Sequence, residues 1–96
     1  MAAISSDILA SYAADAAREV DGVYGLAEHS LHRHKGVRVL DEGDGFFLEL
    51  HVVIAWGASI PAVGAAVQVR VAEYLRQMTD LEPDRVDVVV DEIGPR

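Results

Sequence analysis

A chain of 96 residues that is 51% hydrophobic holds material for one domain with a real core and none for a second. Its net charge of −8 opposes general binding to nucleic acid and direct docking on anionic lipid. With no cysteine there are no disulfides, no thiolate metal sites and no cysteine nucleophile, which suits a reducing cytoplasm. A single domain over residues 1–96 is therefore expected.

The residues Met1 to Asp7 carry neither a basic stretch nor an apolar core, which argues against a secretory signal. A first helix is expected from about Ser6 to Val20, capped by Ser5 or Ser6, with Asp7 near the positive end of its dipole. Its buried stripe reads Ile8, Leu9, Tyr12, Ala13, Ala16 and Val20, and its many alanines permit close packing. Gly22 is placed for the left-handed conformation that ends a helix. Residues 22–36 read as irregular. A short strand follows from Val37 to Leu40, then an acidic turn, Asp41-Glu42-Gly43-Asp44-Gly45, and a long strand over 46–56.

That long strand is the clearest signal in the chain. Residues 46, 48, 50, 52, 54 and 56 are all apolar, while Glu49 and His51 interrupt the other face. The period then changes at Trp56-Gly57-Ala58-Ser59-Ile60-Pro61. From there the apolar residues 60, 63, 67, 71, 74, 75 and 78 describe a second helix over about 60–79, with Ser59 as its cap and Pro61 in its first turn. Residues 52–69 are uncharged, which meets the length of a membrane span, but glycine, serine, proline and glutamine interrupt them and the period shifts midway. A strand feeding a helix explains the run better. A last strand is expected from Val86 to Val90.

The expected fold is α+β: a single compact domain in the order α-β-β-α-β, with a three-stranded sheet packed with two helices. The pattern leaves open which neighbour the last strand takes. It also leaves one face of the sheet to be explained. Phe47, Val53 and Ala55, with Val89, point away from the main apolar face, and a Glu49–His51 pair sits among them. Either the first helix covers this side or a partner does. Phe47, Glu49, His51, Val53 and Val89 are the candidate interface residues.

Other constellations carry less. His29, His32 and His34 have spacings that would suit a metal, yet Arg33 and Lys35 place positive charge beside them, so an exposed, mildly basic loop is expected. Gly22-Val23-Tyr24-Gly25 has the G-x-x-G form of a KH nucleic-acid-binding loop, but Val23, Tyr24 and the preceding Asp21 offer a phosphate backbone no cation. Nothing assembles a nucleophile, a base and an oxyanion hole, so no enzyme, cofactor or metal is expected.

Several of these stretches resemble one family. Ile4-Ser5-Ser6-Asp7-Ile8-Leu9 before an alanine-rich helix resembles that family's opening, and Val20-Asp21-Gly22-Val23-Tyr24-Gly25-Leu26 its first joint. Lys35-Gly36-Val37-Arg38-Val39 resembles its first strand. Leu50-His51-Val52-Val53, Gly57-Ala58-Ser59-Ile60-Pro61 and Val67-Gln68-Val69-Arg70-Val71 resemble its central block, and Met78-Thr79-Asp80-Leu81 leads toward its last strand. The family is that of the alkaline shock proteins, envelope stress response proteins found mostly in Gram-positive bacteria. Trp56 and the histidines before Lys35 depart from its usual pattern. The resemblance implies a non-enzymatic, cytoplasmic protein–protein interaction module that gathers at the inner membrane face. It would do so by self-association or by binding a membrane-anchored homologous protein, without inserting in the membrane itself. A KH-like nucleic-acid-binding module is the alternative.

Overall fold

The computed structural model describes residues 4–28 and 34–96. Six elements follow in chain order: α1 (Ser6–Arg18), β1 (Val23–Leu26), β2 (Val37–Asp41), β3 (Phe46–Ile54), α2 (Ile60–Thr79) and β4 (Arg85–Ile93). The α+β class is as expected, but the order is α-β-β-β-α-β and the sheet has four strands. The added strand is β1, in the stretch the sequence left irregular. Its register slips between Val23 and Gly25, so it shows no alternation for a period-two reading to find.

β3 is the centre of the sheet. β2 pairs antiparallel with its first half, Val37 opposite Leu50 through Asp41 opposite Phe46. β1 pairs antiparallel with its second half, Val23 opposite Ile54 and Leu26 opposite Val52. β4 runs parallel to β3 along nearly all of it, from Phe47 opposite Arg85 to Ile54 opposite Ile93. Because β4 fills one edge, β1 and β2 share the other, end to end. The β3–α2–β4 unit is thus a parallel crossover, with β4 beside β3 rather than β2.

Alternation along β3 decides the layers. Phe46 is 3% exposed and Leu48, Leu50, Val52 and Ile54 are fully buried. They meet Val63, Val67, Val71 and Leu75 of α2 and the alanine-rich side of α1, where Leu9, Ala10, Ala13, Ala14, Ala16 and Ala17 are all buried. Fully burying each large aliphatic side chain contributes about 1.5–3 kcal/mol. Small residues let α1 lie close to α2, and Tyr12 meets Tyr74 edge to face at 6.0 Å between ring centres. Both helices therefore lie on one face. No described helix covers the other, so the first of the two explanations for its apolar residues does not hold.

Some boundaries and faces differ from the sequence reading. α1 stops at Arg18, and Ile8 is 49% exposed rather than part of the buried stripe. β3 ends at Ile54, and Trp56 lies in the turn beyond, 57% exposed with the Arg96 guanidinium 4.8 Å from its ring centre. β4 runs from Arg85 to Ile93 rather than from Val86 to Val90, and its pairing continues past Val90 through a register shift between Val52 and Val53.

The joints are built as the sequence suggests. Ser59 caps α2 by accepting the Ala62 N–H at 3.3 Å, and Ser5 caps α1 by accepting the Ile8 N–H at 3.2 Å. Ser59→Ala should lower stability by about 0.5–2 kcal/mol, read from the urea unfolding midpoint. Gly22 sits at φ +94°, and a Cβ there would lie 2.5 Å from Cγ2 of Val63. Gly22→Ala adds left-handed strain to a clash with a buried side chain, and should cost about 1–3 kcal/mol in the same measurement.

Candidate functional site: the open face of the sheet

The outward residues of β3 are Phe47, Glu49, His51 and Val53, each half-buried by its neighbours. Register places Leu40 and Arg85 beside Phe47, Arg38 and Asp87 beside Glu49, Val89 beside His51, and Gly25 and Glu92 beside Val53. All five residues singled out in the sequence thus share this face, Val89 being 38% exposed. Ala55 does not join them as a strand residue, since β3 has ended; its N–H is bonded to the Gly22 carbonyl.

Three features organise the face. At one end the Arg85 guanidinium lies 3.9 Å from the centre of the Phe47 ring, and its Nε donates to both carboxylate oxygens of Asp87 at 3.1 Å. In the middle His51 stands between two carboxylates, with Nε2 2.5 Å from Glu49 and Nδ1 2.9 Å from Asp91. Carboxylate oxygens only accept, so both contacts are hydrogen bonds together only when both ring nitrogens carry protons. At the far end a depression of about 280 Å³ opens beside Val53, lined also by Tyr24, Gly25, Glu92, Gly94 and Pro95. It falls just short of the usual small-molecule range and suits a single side chain.

Arg38, Arg85, Asp91 and Tyr24 were not singled out from the sequence. Arg38 and Arg85 belong to this face only through strand register, which no local pattern reveals. Asp91 reaches His51 because of the register shift in β4, 40 residues away in the chain. Tyr24 looked like part of a loop.

The other constellations fare differently. His29 and His32 lie outside the described residues. His34 touches Ser11 of α1, Nε2 to Oγ, at 3.2 Å. The G-x-x-G segment enters β1, where Val23 and Gly25 pair with β3, so it is not the free loop a KH reading requires. In the acidic turn, Asp41 accepts the Gly43 N–H at 2.9 Å, which is turn chemistry. Among the described residues no group of three or more His, Cys, Asp or Glu could hold a metal ion. Nor is any described helix long and apolar enough to cross a membrane.

Comparison with known proteins places this architecture. A family model for the alkaline shock protein 23 family, cell envelope-related function, matches residues 1–95. The chain belongs to that family. This alkaline shock domain is 32% identical over 95 residues to YqhY, an uncharacterized protein of Bacillus subtilis (strain 168), covering 88% of this chain and 70% of YqhY. It is 28% identical over 102 residues to Spy1614, an uncharacterized protein of Streptococcus pyogenes serotype M6, covering 94% of this chain and 84% of that one. Among solved structures it is similar to a variant of MamM CTD, with a TM-score of 0.69 at 15% identity over 92% of this chain and 98% of that chain. A manganese form of another MamM CTD variant gives 0.67 at 16% identity, over 92% and 99%. At that identity the likeness is one of fold.

The His51 cluster of the alkaline shock domain should add little to stability. Its members are 15%, 27% and 24% exposed for His51, Glu49 and Asp91, close enough to solvent for screening. Glu49→Gln should therefore cost on the order of 1 kcal/mol, measured by thermal unfolding. A loss several times larger would make the cluster a structural keystone instead.

Proposed function

We propose that this domain is a non-enzymatic interaction module of cell-envelope homeostasis and stress response. It docks through the open face of its sheet on a membrane-anchored partner carrying the same kind of domain. It is thereby held, from the cytoplasm, at the inner face of the membrane. The observation that carries this reading is the face itself. Two helices cover one side of the sheet, while Phe47, Val53 and Val89 remain on a side that no described helix covers. Apolar side chains grouped in this way mark a surface that is covered when the protein works.

The charges on the face support docking rather than oppose it. Arg85 is paired with Asp87, Arg38 lies opposite Glu49, and His51 is held by Glu49 and Asp91. A partner that covers the face meets Arg85 and His51 already held by carboxylates, which lowers the usual penalty of drying charged surface. The family's cell envelope-related description supplies the cellular setting. The route to the membrane runs through a partner because a charge of −8 is repelled by anionic headgroups.

The test is co-sedimentation at physiological salt. The protein should stay in the supernatant with protein-free anionic vesicles and pellet with native membranes. Val53→Lys, which puts an unpaired charge in the middle of the docking surface, should abolish the second behaviour while circular dichroism shows a folded domain. Tight binding to bare vesicles, or unchanged recovery of the folded Val53→Lys variant with native membranes, would overturn the reading.

A further inference from the structure

The order of side chains on the open face specifies an occupant more closely. Along β3 the outward residues read apolar, acid, base, apolar: Phe47, Glu49, His51, Val53. Reversed, the sequence of types is apolar, base, acid, apolar, its own complement. The neighbouring strand follows suit at the two ends, with Arg85 beside Phe47 and Glu92 beside Val53. The ends also differ in shape. Phe47 carries the Arg85 guanidinium 3.9 Å over its ring, and Val53 lies beside the 280 Å³ depression that Glu92 borders.

We infer that, away from its anchored partner, this face is occupied by a second copy of the same chain, related by a two-fold axis that lies between the sheets and across the strands, so that the two β3 strands run antiparallel. This rests on the open face being the docking surface. Such an axis leaves β4 facing the partner's β4 and reverses direction along the strands. Centred at the level of Leu50, it sets Phe47 into the partner's depression beside Val53, Arg85 toward the partner's Glu92, and Glu49 against the partner's His51. Every contact then occurs twice. The alternative axis, along the strands, stacks Phe47 on Phe47 and sets the two Glu49 carboxylates against each other. Charge complementarity selects the first.

The size of the face sets the strength. Nine residues of β3 and three strand widths span about 30 Å by about 15 Å. That is the small end of specific interfaces, a reversible dimer rather than an obligate one. Twist turns two packed sheets by about 30°, so the match is closest in the central rows.

Cross-linking reads the arrangement directly, because the chain has no cysteine of its own. Phe47→Cys and Val53→Cys are made singly, mixed, and treated at high protein concentration with a short bismaleimide. Its reach spans the ~10 Å between packed sheets but not the ~20 Å between positions six residues apart on antiparallel strands. The mixture should give at least tenfold more covalent dimer than either variant alone, since a mixed dimer brings position 47 to position 53 and keeps one native Phe47 contact. Equal or higher yields from each variant alone would overturn the antiparallel arrangement. A parent chain that sediments as a monomer at the same concentration, yet pellets with native membranes in a Val53-dependent way, would overturn the second copy as occupant and leave the docking surface standing. Recovery with native membranes that ignores Val53→Lys would remove the docking surface itself, and this inference with it.

Discussion

Everything in this domain hangs on β3. It is hydrogen-bonded to each of the other three strands, and its inward residues from Phe46 to Ile54 form the floor on which both helices rest. A side-chain period of two makes its register unforgiving. A slip of one residue would turn Leu48, Leu50 and Val52 outward and bring Glu49 and His51 into a core where, among the described residues, no polar side chain is buried. Fixing β3 therefore fixes both faces at once, the one that folds the chain and the one left for other work.

The two faces carry different chemistry because they answer different demands. Inside, the residues are aliphatic, alanine or, at Phe46, aromatic, and burial holds them. Outside, apolar side chains are interleaved with ion pairs whose members remain within reach of water. Such pairs contribute little to folding, but they set which surfaces can approach and in which orientation. Net charge works against indiscriminate contact: at −8, identical copies repel one another once they approach within the ~8 Å screening length of physiological salt. Short-range complementarity has to overcome that repulsion.

Much of this was legible in the sequence, and the reasons are local. The strand at Phe46, the break at Gly57 and the cap at Ser59 all announce themselves through period, backbone freedom and a hydroxyl at the right offset. The α2 limits, Ile60 to Thr79, follow from them. β1 was invisible because four residues with a register slip and a central glycine have no alternation to display. Ile8 was misassigned because Leu9 and the alanines carry the inner side of α1. The candidate interface followed from alternation, so Phe47, Glu49, His51 and Val53 fell together. Their cross-strand neighbours Arg38, Arg85 and Asp91 did not, since pairing between strands far apart in the chain is a property of the folded sheet.

The edge of the sheet passes from β1 to β2 at a single residue: the His51 carbonyl accepts the Ala27 N–H at 2.8 Å, and the His51 N–H donates to the Gly36 carbonyl at 2.9 Å. One peptide neighbourhood thus clamps both ends of the chain that leaves the sheet after Ala27 and returns at Gly36. β1 and β2 are thereby referenced to the same residue of β3, so a change that removes its N–H and bends its backbone, such as His51→Pro, would unseat both strands of that edge at once.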